Sequence, residues 1–283
     1  MGKWMTWLKE GIPLADWFND GVAWVTEHLS WATRPMASGM EWTLGALKGA
    51  LMWIPAPILI IAVVALTLWR CGKGVAVFAA LGLLLIWNQG LWESLIYSLS
   101  LVLISTLLSI IIALPVGMLA ALFRPVEVVV RPILDLMQTM PAFVYLLPCV
   151  ALFSIGAMPA VLATVIFSMP PAVRFTILGL QQVPSDLDEG AEAFGSTRAQ
   201  KLFKLQLPLA RPTIMAGINQ TVMLALSMSV IASMVGAEGL GADVYSAIQG
   251  NDNGHGIVSG ICVVVLAVLL DRIAQSCKGR DYT

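Results

Sequence analysis

The chain alternates between long apolar stretches and short clusters of charged residues. Six stretches contain no Asp, Glu, Lys or Arg, and they cover residues 49–69, 74–92, 94–123, 136–173, 212–237 and 253–270. Most approach the ~20 apolar residues that a membrane-spanning helix needs, whereas 136–173 is long enough for two. Gly156 and Pro159 favour a tight connection inside it, which gives spans near 136–156 and 159–180. The pattern therefore predicts an all-α integral membrane protein with about seven transmembrane helices.

The composition agrees with a membrane protein and excludes several soluble classes. Hydrophobic residues make up 58% of the 283 positions and charged residues 12%, with a mean hydropathy of +0.85. A soluble domain carries about twice that share of charge, so a soluble enzyme is excluded. The formal net charge of -1 supplies no basic surface for nucleic acid. The four cysteines and two histidines have no metal-ligand spacing, so neither a metal site nor a cofactor is expected in this chain.

The distribution of positive charge predicts how the chain crosses the membrane. The stretch 74–92 is continuously apolar only from Val75 to Trp87, but counting it as a span gives a consistent sidedness. With seven spans and a cytoplasmic C-terminus, four of the 16 Lys and Arg residues lie outside: Lys3, Lys9, Arg34 and Lys48. The other twelve lie in cytoplasmic segments, as the positive-inside rule expects. The N-terminus is therefore predicted to lie outside and the C-terminus in the cytoplasm.

The first third of the chain holds all ten tryptophans. Within residues 1–48 they recur at helix-like spacing, as Trp4, Trp7, Trp17, Trp24, Trp31 and Trp42. Indole rings favour the membrane–water interface, so 1–48 is predicted to be an amphipathic segment in the outer interface. An aromatic cage for a cationic ligand is the alternative, although it needs converging rings rather than a stripe. Residues 49–90 would then form two accessory transmembrane helices.

The longest polar stretch on the predicted cytoplasmic side is the loop 182–211, which reads as two short helices. Ser185 with Asp188 resembles a capping box at the start of the first helix. Gly195 is placed to end that helix with a residue in the left-handed conformation. The loop is therefore predicted to be ordered.

The second helix of this loop has its own start and stop signals. Thr197 and Gln200 can cap its N-terminus, and Pro208 is expected to stop it before the sixth span. Phe194, Leu202 and Phe203 would be exposed unless something covered them. A solvated connector needs no such apolar residues, so a docking element for a soluble partner is the competing interpretation.

The loop resembles the E-A-A loop of ABC importer permeases. That family's pattern is E-A-A, three residues, G, nine residues and I-x-L-P, and both gaps match here. Gly190 stands where the family has alanine, and Leu205 where it has isoleucine. The residues that the resemblance assigns to ATPase coupling are Glu189, Gly190, Ala191, Gly195, Leu205, Leu207 and Pro208.

The resemblance extends over residues 91–275. Motifs similar to the glycine betaine/proline betaine permeases, a quaternary ammonium or choline-type subfamily, lie at 140–148, 170–174, 207–210, 212–217, 219–221 and 239–241. The resemblance implies a type I ABC importer permease core over 91–275 and a cytoplasmic tail at 276–283. It also implies a multi-pass protein of the bacterial inner (plasma) membrane that carries a quaternary ammonium osmolyte such as glycine betaine, proline betaine or choline.

The same resemblance implies the partners. A cytoplasmic ATPase would bind ATP and magnesium, because the nearest Walker-like fragment here, Gly72-Lys73-Gly74, lacks the required Ser or Thr. An external substrate-binding protein would deliver the substrate. One docking loop per chain, with ATPases that act in pairs, favours a permease homodimer.

Several side chains within the predicted spans are candidates for the translocation path. The aromatic rings could attract a quaternary ammonium by cation–π interaction, and the polar groups could contact substrate. These candidates are Phe143, Tyr145, Phe153, Phe167, Asn219 and Ser229. Core packing explains each ring equally well, and hydrogen bonds between helices explain the polar groups.

Three other functions compete with an ABC permease. An ion-coupled secondary transporter usually has a charge near the bilayer midplane, whereas Glu93 and Asp271 lie at span ends. A membrane-embedded enzyme would need a catalytic pair or metal set at depth. A structural scaffold would explain the N-terminal segment but leave the cytoplasmic loop without a role.

Overall fold

The structure, a computed structural model, describes residues 14–276, which form helices joined by short connections without β-strands. The first six helices are α1 (Leu14–Trp53), α2 (Ala56–Arg70), α3 (Lys73–Asn88), α4 (Trp92–Leu122), α5 (Arg124–Thr139) and α6 (Ala142–Phe153). The next six are α7 (Ala157–Gln181), α8 (Ser185–Ala193), α9 (Arg198–Lys201), α10 (Leu207–Ala232), α11 (Leu240–Gln249) and α12 (Asn253–Ser276). A π-helical turn, Leu202–Gln206, joins α9 to α10, and a 3-10 turn, Ser233–Val235, follows α10. The all-α prediction is confirmed.

Four helices are long and apolar enough to cross a membrane unaided within the described residues. They are α4, α7, α12 and the continuous helix Arg198–Val235 that contains α10. The count rises to six if the bent pairs α1–α2 and α5–α6 each form one span. The remaining predicted span, 74–92, corresponds to α3, whose 16 residues rise only about 24 Å. The total of seven therefore stays a prediction.

The predicted boundary between the interfacial segment and the first span is wrong. Residues 49–53 continue the 40-residue helix α1, and the chain turns only at Pro55. Beyond this residue α2 leaves at 92° to α1. Pro55 is the N-cap of α2 and has no amide hydrogen. The backbone hydrogen bonds of α1 therefore end before it, and those of α2 begin after it. Trp4 and Trp7 of the predicted interfacial segment, and nearly all of the tail 276–283, lie outside the described residues.

The predicted span 136–156 is also wrong as a single helix. It breaks at Met140-Pro141, where α5 and α6 meet at 101°. Met140 is extended, with ψ 136°, because the ring of a following proline disfavours the helical conformation. By contrast, α7 closely matches the predicted span 159–180.

The centre of the bundle is α7, which packs closely on α4 and α10. A Cβ atom at Gly117 of α4 would lie 2.6 Å from the Cβ of Thr176, so the two helices meet there backbone to side chain. Gly217 of α10 approaches α7 in the same way, 2.6 Å from the Cβ of Phe175. Small residues at these crossings allow the close helix packing that membrane bundles use.

The N-terminal helices lie against this bundle. Leu44 of α1 is buried with Tyr97 and Leu101 of α4 and Val161 of α7. The accessory helices α2 and α3 share a second core with α4, α10 and α12, formed by residues such as Ile60, Ile86, Leu95, Leu226 and Leu266. On α1, five tryptophans 7 or 11 residues apart are exposed along one helical face: Trp17, Trp24, Trp31, Trp42 and Trp53.

Candidate functional site: the coupling loop

We use the name coupling loop for residues 182–206. Its first helix, α8, ends in a well-formed cap. Gly195 has φ +77°, as predicted. Its amide donates to the carbonyl of Glu192 at 2.9 Å, and that of Ser196 donates to Ala191 at 3.0 Å. This is the Schellman pattern, which satisfies the last carbonyls of α8.

The predicted cap at the start of α8 is wrong. Pro184 is the N-cap, and no side chain completes a capping hydrogen bond there. Ser185 is already the first helical residue, and its hydroxyl lies 3.4 Å from Asp186 Oδ1 instead. The acidic residues Asp186 and Asp188 in the first turn remain favourable for the helix dipole.

The predicted cap of the second helix is confirmed. The hydroxyl of Thr197 accepts from the Gln200 amide at 3.3 Å, and the Gln200 side chain accepts from the Thr197 amide at 2.9 Å. This reciprocal pair is a capping box. Gly195 and Thr197 together therefore define the turn between the two helices.

Polar contacts brace the two helices of the loop against each other. The ammonium of Lys201 lies 2.7 Å from Glu192 and 3.2 Å from Asp188. Gln206 donates to both carboxylate oxygens of Asp188 at 3.0 Å. The hydrogen bond to Glu192 and the charge of Asp188 raise the pKa of Lys201, which precedes the membrane-spanning part of its helix. The ammonium stays charged at neutral pH, so the brace persists there.

The second helix does not stop at Pro208, which is a further correction. The backbone stays helical from Arg198 to Val235, 38 residues or about 57 Å. In the π-helical turn the Leu207 amide donates to Leu202, five residues back, so the hydrogen-bond ladder shifts just before the proline. Pro208, which has no amide hydrogen to donate, directly follows this shift, and the helix continues through it.

Two aromatic side chains of the loop are exposed, as predicted, and one apolar residue is not. Phe194 is 93% and Phe203 62% exposed. Leu202 is 8% exposed, because it packs with Leu180, Ala210 and Ile214 at the base of the bundle. Leu202 therefore joins the loop to the bundle, and the two phenylalanines are available to a partner.

The residues of the family pattern are also divided between exposed and less exposed positions. Glu189, Gly195 and Pro208 are exposed. Gly190, Ala191, Leu205 and Leu207 are half-buried. A Cβ atom at Gly190 would meet nothing within 4 Å, so the family's alanine would fit there.

The predicted path residues do not form one cluster, although two of them are in contact. Tyr145 and Phe167 pack edge to face, 6.1 Å apart, and the Tyr145 hydroxyl donates to the Met137 carbonyl. The ring of Phe143 is exposed, and Phe153 lines a cleft of about 650 Å³ against α1.

The two polar path candidates bond within the protein. Asn219 donates to Asp271 of α12 at 3.2 Å, and Ser229 donates to Leu226 of its own helix at 2.7 Å. A different set, Gln220, Met223 and Ser227, is exposed on one face of α10. Their spacing of three and four residues places them on the same face of this apolar helix.

The architecture is a membrane helix bundle in which the 38-residue helix Arg198–Val235 extends into a capped helix pair with exposed aromatic side chains. The family described as "Binding-protein-dependent transport system inner membrane component" matches residues 113–277. The chain belongs to this family.

Close relatives and a solved structure agree with that assignment. The chain is 50% identical over 267 residues to the glycine betaine transport system permease protein OpuAB of Bacillus subtilis (strain 168), covering 94% of this chain and 95% of that protein. It is 46% identical over 278 residues to the glycine betaine/proline betaine transport system permease protein ProW of Escherichia coli (strain K12), covering 96% and 77%.

The fold is similar to that in an inward-facing structure of the MetNI methionine ABC transporter. The TM-score is 0.60 at 25% identity, with 68% of this chain and 96% of that chain covered. The comparisons therefore support a transport permease of the ABC type and not an ion-coupled carrier.

Proposed function

We propose that this chain is the translocation subunit of an ATP-driven importer for glycine betaine or a closely related quaternary ammonium osmolyte. The named substrates of the OpuAB and ProW proteins support the substrate class. The observation that carries the mechanism is the continuous helix Arg198–Val235, because it joins the braced coupling loop to the bundle without a break.

In this proposal a separate cytoplasmic ATPase binds the coupling loop and supplies ATP and magnesium. Phe194 and Phe203 enter an apolar groove of the ATPase, and Glu189 is exposed as well. Gly190, Ala191 and Gly195 form the helix and turn that present these rings. Because Leu205, Leu207 and Pro208 belong to one helix with α10, movement of the ATPase displaces α10 as a rigid body.

We further propose that two copies of the permease form the pathway between them. Gln220 and Ser227 are exposed on α10 at membrane depth, where a glutamine facing lipid is unfavourable. A second copy, or a water-filled path along their shared interface, removes this cost. Phe143, whose ring is exposed, and Phe153 remain the path candidates among the predicted rings.

An external substrate-binding protein completes the assembly. It would deliver the substrate at the end of the bundle opposite to the coupling loop, which places the N-terminus outside and the C-terminus in the cytoplasm. The chain would lie in a bacterial inner membrane, with α1 in the outer interface and its exposed tryptophans at headgroup depth.

Reconstitution tests the proposal. The permease, its ATPase and its binding protein are placed in liposomes, and uptake of radiolabelled glycine betaine is measured with ATP or a non-hydrolysable analogue inside. Uptake is expected only with hydrolysable ATP and binding protein. Uptake that persists without ATP and follows a sodium or proton gradient would overturn the proposal.

A further inference from the structure

The ammonium group of Lys48 occupies a site that has the chemistry of a cation-binding pocket. It lies 2.7 Å from Glu93 and 3.6 Å from Glu238, and 5.7 Å from the centroid of the Tyr97 ring. An aromatic face within about 6 Å, together with carboxylates, is the arrangement that attracts organic cations. The Lys48 side chain is 25% exposed and those of Glu93 and Glu238 are 66% and 70% exposed, so the site lies at the surface of the bundle and is open to solvent.

The space around this ammonium is larger than the lysine requires. Two cavities, of about 490 Å³ and 310 Å³, share Tyr97 and Glu238 as walls. The larger one is also lined by Glu93, Asp243 and His255. The Oδ2 atom of Asp243 is buried and has no hydrogen-bond partner among the described residues. Asp243 itself is half-buried, so this oxygen adds a third carboxylate to the cavity wall beside Glu93 and Glu238.

The walls of the site are held by backbone geometry. Gly239, beside Glu238, has φ +103°, and a Cβ atom there would lie 2.4 Å from the Ser98 hydroxyl. That hydroxyl accepts from the Leu240 amide at 2.9 Å, which fixes the connection to α4. Glu238 is therefore held beside Tyr97, at the end of α10 that lies roughly 40 Å from the coupling loop.

We infer that Tyr97, Glu93 and Glu238 form a binding site for a small organic cation, specifically a quaternary ammonium group, which replaces the Lys48 ammonium. This rests on the proposed function. A quaternary ammonium donates no hydrogen bond, so the ring face and the two carboxylate charges hold it. Lys48, tethered on α1, competes for the site, and the cation binds when α1 withdraws the lysine.

The test measures binding of tetramethylammonium to the permease–ATPase complex in lipid nanodiscs, without the external binding protein. Saturation-transfer NMR gives the dissociation constant for the wild type and for Lys48→Met, which keeps the apolar stem but removes the charge. We expect Lys48→Met to bind about tenfold more tightly or better, because the tethered competitor is gone. Lys73→Met, the same change at an exposed lysine beyond the site, should match the wild type.

Ring and charge variants separate this site from a salt bridge that only stabilises the fold. In the Lys48→Met background, Tyr97→Phe should keep the gain in affinity, whereas Tyr97→Leu and Glu238→Gln should each abolish it. Equal affinity of Lys48→Met and wild type, or a gain that survives both changes, would overturn the inference. Should a double variant fail to assemble, Glu238→Gln in the wild-type chain gives the answer, since it should weaken the residual binding there.

The outcome is distinguishable from failure of the proposed function. Glycine betaine uptake by the wild-type assembly is measured in parallel. Normal ATP-driven uptake without a gain in tetramethylammonium affinity would reject only the cation site. Absence of betaine uptake would reject the proposed function, whatever the NMR shows.

Discussion

At the residue scale, the conformation of Gly195 determines the shape of the coupling loop. Its φ of +77° is costly for residues with a Cβ atom, and its amide closes the cap of α8. This one position sets the direction in which α9 leaves α8. The exposed ring of Phe194, its immediate neighbour, depends on that direction.

Replacement of Gly195 by proline should uncouple the transporter. Proline cannot adopt φ +77° and has no amide to donate to Glu192, so the turn must rearrange at a cost of about 3 kcal/mol or more. ATP-driven betaine uptake by Gly195→Pro should be lost, while the protein still inserts in the membrane. Gly195→Asn is the matched control, because asparagine tolerates the left-handed region. Wild-type uptake by the proline variant would show that this turn does not couple the two subunits.

Replacement of Gly190 by alanine should leave the stability of the protein unchanged or increase it. The site is open, with nothing within 4 Å of an added Cβ atom, and alanine lowers the free energy of a helix interior by about 1 kcal/mol relative to glycine. Thermal unfolding of the purified complex should therefore occur at an equal or higher temperature. A clear decrease in the unfolding temperature, compared with Gly74→Ala as a second open site, would contradict this.

At the scale of elements, the continuous helix Arg198–Val235 is the feature that links the two ends of the molecule. The π-helical turn shifts the hydrogen-bond ladder by one residue, so Pro208 does not interrupt it. The loop end is tied to the bundle by Leu202, and the membrane part is tied to α12 through Asn219 and Asp271. The helix can therefore transmit motion from the coupling loop to the bundle only if it moves as a rigid body.

Spin-label distances test whether this helix moves as one body. Labels at Lys204 and Met234, both exposed, should keep the same separation with and without ATP. A pair at Ile257 and Val264 on α12 controls for changes in label mobility. A nucleotide-dependent change in the first pair alone would show that the π-helical turn bends during the cycle.

At the scale of the whole molecule, the two ends of the bundle carry different chemistry. One end presents aromatic rings on a rigid loop, which fits a soluble protein partner. The other end holds carboxylates, Tyr97 and Lys48 around open cavities, which fits a small cation. The helix α10 connects them, because it starts at the loop and ends at Ala232, six residues before Glu238.

Loss of the two exposed rings should weaken assembly with the ATPase. Phe194→Ala and Phe203→Ala should each reduce ATPase affinity by about 2 kcal/mol if the rings are central to the interface. Affinity is measured by titrating purified ATPase onto permease in nanodiscs. Ile248→Ala, an exposed apolar residue near the opposite end, should leave it unchanged. Unaltered affinity of both phenylalanine variants would place the ATPase contact elsewhere.

The sequence by itself determined most of the features that depend on neighbours a few residues apart, with the cap at Ser185 as an exception. The helical, membrane-spanning class follows from apolar stretches, and the Gly195 turn and the Thr197 capping box follow from local hydrogen bonding. The family pattern also consists of short spacings along the chain, so it too could be recognised in the sequence. The proline breaks were visible too, but their effect depended on context: Pro141 bends the chain, and Pro208 does not.

Only the tertiary structure decided which side chains face a distant partner. Leu202 is buried, Tyr145 and Phe167 are paired, and Asn219 is bound to Asp271, although each looked available in the sequence. The proposed cation site around Lys48 joins residues 48, 93, 97 and 238, so no local pattern could reveal it. Burial and charge pairing are set by the packing of segments far apart in the chain, and these contacts exist only once the helices have assembled.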